Sequence, residues 1–125
     1  MGITYDTGAL LAAERNDRKL WALHRRALER GIVPDVPAGV LAQGWRGGPQ
    51  ASMSRLLAAC HVEVLDENAA RRAGAAAARA RRNDIVDASV VVGAVRRGDA
   101  IVTSDSGDLL AIADALGVSV VLHEI

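Results

Sequence analysis

Five aspartates are the residues of this sequence best able to do chemistry together. Asp84 and Asp87 stand three positions apart at the head of an apolar run (Ile85, Val86, Ala88, Val90, Val91, Val92, Ala94, Val95) that stops at Arg96-Arg97-Gly98. Cations in a last turn, with glycine just past it, mark a helix C-terminus. A β-branched strand, Ala100-Ile101-Val102-Thr103, then runs straight into Ser104-Asp105-Ser106-Gly107-Asp108. The fifth acid, Asp6, ends the short strand Ile3-Thr4-Tyr5. Carboxylates gathered from a helix start and two strand ends repel one another and raise each other's pKa unless a cation stands among them. Oxygen-only ligands, with neither thiol nor histidine, select Mg²⁺ or Mn²⁺ over zinc. Acids holding such ions are the apparatus of metal-dependent phosphodiester hydrolysis. Each acid also has a structural use: Asp84 as the N-cap of its helix, Asp105 or Asp108 as caps of the last helix, Asp6 in a turn before Thr7. Asp87 is the hardest to explain that way, because a carboxylate inside an apolar helix is costly unless it is paired or metal-bound.

Two strands must carry Asp6 and Asp105 to one edge, and one helix must bring Asp84 and Asp87 over it. The chain reads as the alternation that does so. Thr7 is a candidate N-cap for a helix over Ala9 to Glu14. A second helix runs from Arg18 to Arg30, with Leu20, Trp21, Leu23, His24, Ala27 and Leu28 on its apolar side, and stops at Gly31. Ile32-Val33 begins a short strand, Pro37 starts a helix with Val40 and Leu41 inside, and Gly47-Gly48-Pro49 breaks it. Ser52 to Cys60 is helical, His61 to Leu65 alternates like a strand, and Asp66 caps an alanine-rich helix from Glu67 to Ala80. Ser106 to Leu116 gives the last helix and Val118 to Leu122 the closing strand. Strands alternating with helices predict one α/β domain over residues 1–125, with a mainly parallel sheet of about five strands and right-handed crossovers. Ligands of such sheets sit beyond the carboxyl ends of the strands, where strand order reverses. If the strands of Asp6 and Asp105 are neighbours across that point, their acids face one another.

Composition narrows the classes. With 125 residues, half of them hydrophobic, there is enough chain for one core, built of Ala, Val, Leu and Ile because Phe is absent. Fifteen basic residues balance fifteen acidic ones, so no global field draws the protein to nucleic acid or membrane. No apolar run approaches the ~20 residues of a membrane span, and no signal peptide is read at the start. A single cysteine, Cys60, precludes an internal disulfide and suits a reducing cytoplasm. Beside His61 it could suggest a thiol nucleophile, but it ends an apolar helical pattern and reads as structural.

The whole chain resembles a PIN-domain ribonuclease, specifically the VapC-like toxin of bacterial toxin–antitoxin pairs. The marks are the N-terminal strand with Asp6-Thr7, the segment Asp84-Ile85-Val86-Asp87-Ala88, and Val102-Thr103-Ser104-Asp105 followed by Asp108-Leu109. Asp87 and Asp105 lie 18 positions apart, as the family's helix-then-strand unit leads one to expect. The resemblance implies a PIN-like (Rossmann-like) α/β/α sandwich, Mg²⁺- or Mn²⁺-dependent endonucleolytic cleavage of RNA, a cognate antitoxin and a homodimer. It implies Asp6, Asp87 and Asp105 as catalytic metal ligands, joined by Asp84 or Asp108. The family's further acid, usually Glu, matches Gln43 here, which loses a negative charge and any general-base role; Glu14 is a possible substitute. Thr103 and Ser104 could orient the carboxylates, and Arg46, Arg81 and Arg82 could touch the RNA backbone or simply form a solvated face. In toxins of this kind an apolar helical surface, here Leu20, Trp21, Leu23, His24 and Leu28 with Val40, Leu41 and Trp45, receives the antitoxin; the same residues also suit a core.

Three rival readings stand beside this one. Asp6-Thr7-Gly8 is the tripeptide of aspartic proteases, but those need two such aspartates in a β-rich fold. Phosphoryl-aspartate domains also place Asp at a first strand end, yet there is no DxD and no lysine partner. Outside enzymology stands a PIN-like module, weakened at Gln43, that binds RNA or a protein without cutting.

Overall fold

The computed structural model describes residues 1–125. Its elements run β1 (Ile3–Tyr5), α1 (Thr7–Glu14), α2 (Arg18–Glu29), β2 (Asp35–Pro37), α3 (Ala38–Gly44), α4 (Ala51–Leu57), β3 (His61–Glu63), α5 (Glu67–Arg79), α6 (Ile85–Arg97), β4 (Ala100–Thr103), α7 (Gly107–Leu116) and β5 (Leu122–Glu124). The five strands form one sheet in the order β3-β2-β1-β4-β5, and every pairing is parallel. The chain therefore builds outward from β1 to β3, then returns to the other side of β1 for β4 and β5. That reversal leaves a crevice between the ends of β1 and β4, where Tyr5 pairs with Val102.

Strand alternation splits the core between the two faces. Tyr5 and Ile3 look toward α2, where the Tyr5 hydroxyl meets His24 Nδ1 at 2.7 Å and Trp21 packs edge-on to the same imidazole. Thr4 looks the other way, toward the end of α6. Helices α5, α6 and α7 pack together on that side, and α3 is held against both α1 and α6. With no Phe to fill space, α5 and α6 approach through small side chains: Ala73, Ala76, Ala77 and Ala88 are all buried. No helix is long and apolar enough to cross a membrane.

Five helices end by one device. A residue with positive φ (Asn16, Gly31, Arg81, Gly98 or Gly117) is followed by an N–H that returns to the carbonyl five residues earlier. This is the Schellman pattern, and it satisfies carbonyls that would otherwise be orphaned. It explains two expectations that fail. Ile32-Val33 and Val118 to Val121 carry strand-like residues, yet Ile32 N bonds Ala27 O at 2.9 Å and Val118 N bonds Ala113 O at 3.0 Å. Their amides close helices, so the strands start later, at Asp35 and Leu122. A third correction concerns Thr7, which is the first helical residue of α1; the cap is Asp6, whose side chain accepts from Ala9 N. The helix expected over Ser52 to Cys60 is shorter and earlier, Ala51–Leu57.

Candidate active site

The crevice between β1 and β4 is where the acids collect. Asp6 continues β1, its N–H bonded to Val102 O at 3.2 Å, and turns its Oδ1 back to accept from Ala9 N at 2.9 Å. It is only 6% exposed. Burial pushes its pKa up and the Asp105 charge adds to this, while the nearby Thr103 hydroxyl and hydrogen bonds from the Ala9 and Gly8 amides pull it partly back.

Thr103, fully buried at the end of β4, shapes the loop that follows. Its Oγ1 donates to the Asp105 carbonyl at 2.9 Å and accepts from the Asp105 amide at 3.0 Å, folding the chain so that Asp105 stays near Asp6. Asp105 itself is exposed, with Gly107 N 3.3 Å from its Oδ1. Ser104 fits against α1 because residue 8 is glycine: a Cβ there would stand 2.2 Å from Ser104 Oγ.

Asp84 caps α6 by accepting from Asp87 N at 2.9 Å. Asp87 is half-buried in the first turn of α6, closer to the helix start than an interior position. Its pKa is pushed up to about 6, first by burial, then by the charge of Asp84, and then by the Asp108 and Asp6 charges. The structure thus brings Asp84, Asp108 and Asp6 within electrostatic reach of Asp87, and Asp105 within reach of Asp6. Arg82 is the cation at the rim, 2.7 Å from Asp108 Oδ1, in an ion pair open to solvent.

On the α1 side, the Thr7 hydroxyl donates to Gln43 Oε1 at 2.6 Å. Glu14 is not brought to this crevice. It lies at the other end of α1, and its Oε2 accepts from Met53 N at 3.3 Å, at the start of α4. Arg46 spends its guanidinium on the Trp45 carbonyl, away from the acids. Cys60 donates to Leu56 O and burial pushes its thiol up to about 12, which removes the thiolate that a nucleophile needs.

No three acidic, histidine or cysteine side chains are drawn up as a ready metal cage. Asp6, Asp84 and Asp105 accept from backbone amides and Asp108 is turned to Arg82. The donor set nevertheless fits a hard divalent cation: five carboxylates, raised pKa values at the two least exposed, and a single arginine at the margin.

Sequence reasoning missed a second acid group at the opposite end of α6. Arg97 Nε lies 3.0 Å from Asp99 Oδ2 and 3.2 Å from Asp35 Oδ2, Nη1 meets Glu63, and Nη2 donates to Thr4 Oγ1 at 2.9 Å. Thr4 in turn donates to Asp99 at 2.8 Å, and His61 Nδ1 stands 2.9 Å from Asp35. The signal was Arg97 in the last turn of a helix, which also reads as ordinary pairing with the helix dipole. Of the apolar helical surface, Leu20 and Val40 are fully buried and His24 nearly so, while Leu28 and Trp45 remain 40% exposed. Ala38, Leu41, Ala42, Trp45 and Leu57 line an open apolar groove.

By sequence, no protein-family profile and no curated protein matches the chain. By structure it is similar to VapBC2 from Rickettsia felis, solved bound to a DNA fragment from its promoter, with a TM-score of 0.75 and 12% identity over 100% of this chain and 99% of that one. It is similar as well to a toxin-antitoxin complex from Klebsiella pneumoniae (TM-score 0.68, 19% identity, 99% and 100% covered). A third likeness is to PAE2754 from Pyrobaculum aerophilum (TM-score 0.60, 17% identity, 97% and 91% covered). At such identities the likeness is one of fold, and the fold of this chain is the PIN-like α/β/α sandwich.

Proposed function

We propose that the protein is a Mg²⁺- or Mn²⁺-dependent endoribonuclease acting as the toxin of a toxin–antitoxin pair in the cytoplasm. The observation that carries this reading is the unbalanced acid group: Asp87 is raised to about 6 by burial and by Asp84, Asp108 and Asp6, at the point where strand order reverses. Asp6, Asp87 and Asp105 would hold the ion, with Asp84 or Asp108 completing the set. A bound divalent ion supplies charge neutralisation at the scissile phosphate and a water acidic enough to attack it. Thr103 holds the Asp105 backbone in place, and Asp84 is oriented by the Asp87 amide it caps. With its pKa raised to about 6, Asp87 must be deprotonated before it can serve as a carboxylate ligand, which couples loading of the site to pH. One of the similar structures is a toxin–antitoxin complex, which supports a cognate antitoxin as partner. The groove beside Trp45 is the surface it would cover; a homodimer is part of the same reading. A module that binds without cutting would have no use for five acids kept at this cost.

The test is Mn²⁺ titration by calorimetry on the wild type and Asp87→Asn, followed by incubation of both with total RNA. Binding and cleavage by the wild type, both lost in the variant, are the expected outcome. A wild type that binds no divalent ion would sink the reading.

A further inference from the structure

The acid group poses a problem for any phosphodiester that enters it: carboxylates repel the substrate, so a hydrogen-bond donor beside them has a use. Arg82 is committed to Asp108, the Ala9 amide to Asp6 and the Thr103 hydroxyl to its own loop. Gln43 has a donor to spare, held by a partner on its other atom. Its carbonyl oxygen accepts the Thr7 hydroxyl at 2.6 Å, while its amide nitrogen donates to no protein group. Helix packing fixes where the backbone of residue 43 stands. Gly39, one turn earlier on α3, lets the helix lie against Val86, the residue before Asp87; a Cβ at 39 would be 3.2 Å from Val86 Cγ2. Gly44 lies as closely on Leu10 of α1, 3.3 Å by the same measure. Gln43 is thereby set between the helix that Asp6 caps and the helix that carries Asp87.

We propose that Gln43 is a substrate-binding residue: with its oxygen engaged by Thr7, its –NH₂ donates to a non-bridging oxygen of the RNA phosphate, and it does not ligate the metal. Thr7 is the positioning residue that fixes the orientation of the amide. The proposal rests on the nuclease reading and refines it. A neutral amide suits the task because a cationic donor placed there would pair with the acids and cancel the charge that holds the ion. An amide donates to phosphate while leaving that charge intact.

Gln43→Ala, Gln43→Glu and Thr7→Val would each be measured for Mn²⁺ affinity by calorimetry and for affinity toward a fluorescein-labelled random 20-nucleotide RNA by anisotropy in EDTA. Gln43 is exposed, so its variants should fold. Loss of one donor to a charged oxygen should weaken RNA binding by roughly tenfold in Gln43→Ala, with Mn²⁺ affinity within about twofold of wild type. Gln43→Glu should bind Mn²⁺ more tightly and RNA more weakly than Gln43→Ala. Thr7→Val should lose RNA affinity by about threefold and keep its Mn²⁺ affinity. Weaker Mn²⁺ binding in Gln43→Ala with RNA affinity unchanged would overturn the proposal and make the amide oxygen a ligand. RNA bound equally by wild type and Gln43→Ala would overturn it while leaving the nuclease reading in place. RNA neither bound nor cleaved by any form, with Mn²⁺ present or absent, would overturn both.

Discussion

Helix α6 carries a gathering of acids at each end, and the two are solved differently. At its C-terminus, Asp35, Glu63 and Asp99 close around Arg97, whose side chain is only 18% exposed, with Thr4 and His61 supplying the remaining contacts. At its N-terminus, roughly 20 Å away by helical rise, Asp84 and Asp87 join Asp6, Asp105 and Asp108, and the only arginine is exposed and off to one side. The helix dipole helps both, favouring acids at the start and a cation at the end. It offsets a fraction of one charge, far less than the N-terminal group carries. The lesson is that acid clusters alone do not mark a site. What distinguishes the two is whether the chain supplies its own counter-charge, and at the N-terminal end it leaves the balance to something bound.

Breaking the balanced end should have the largest effect. Arg97→Met strands three carboxylates around an apolar side chain, and removing one partner of a buried ion network costs about 3 kcal/mol. Urea denaturation would show it as a lower midpoint with an unchanged slope. At the unbalanced end the sign reverses: Asp87→Asn should stabilise the metal-free protein at pH 7.5 by about 1 kcal/mol while abolishing Mn²⁺ binding.

The wild type should show the same imbalance in its pH profile. Asp87 has a folded pKa of about 6, above its unfolded value of 3.8, so the folded state binds the proton more tightly. Its contribution to stability is present below the unfolded value and is lost as pH rises through about 6. The metal-free protein should therefore lose about 1.5 kcal/mol of stability between pH 4 and pH 7 from this group, a value discounted for its partial solvation. Asp87→Asn should flatten that part of the profile, and saturating Mn²⁺ should reverse its sign. A wild-type profile that is flat from pH 4 to pH 7 would contradict the assignment.

Smaller effects sharpen the contrast. Arg82→Ala removes an exposed ion pair worth at most about 0.5 kcal/mol, yet frees Asp108, so Mn²⁺ affinity should rise about threefold with little change in melting temperature. Gly8→Ala gains helix propensity and collides with Ser104 Oγ, so alone it should be nearly neutral. In a Ser104→Gly background the gain should appear, a coupling of about 1 kcal/mol in a double-mutant cycle.

What could be read from the sequence was whatever a few neighbouring residues decide. Asp66 and Asp84 as N-caps, Gly98 and Gly117 as stops, and the strand Ala100–Thr103 follow from local chemistry, and the alternation of elements points to the parallel sheet. The apposition of Asp6 and Asp105 needed one further step, the general rule for where strand order reverses. Ile32-Val33 and Val118 to Val121 misled because β-branched residues also serve in helix endings, and only the hydrogen bond back to the helix separates the two uses. The Arg97 group was illegible for a different reason. Its acids come from the loop before β4, the start of β2 and the end of β3, and only the register of β1, β2 and β3 brings them to one arginine. Thr7–Gln43 likewise depends on how α3 settles between α1 and α6.

The close approach of Gly8 and Ser104 ties two distant stretches of chain to a shared history. A larger residue at position 8 gains stability only if position 104 shrinks or turns away, and the loop that would move is the one holding Asp105. Among descendants of this sequence that keep the acid group, the sizes of residues 8 and 104 should vary in opposition. A lineage that enlarged both should also show changes at Asp105.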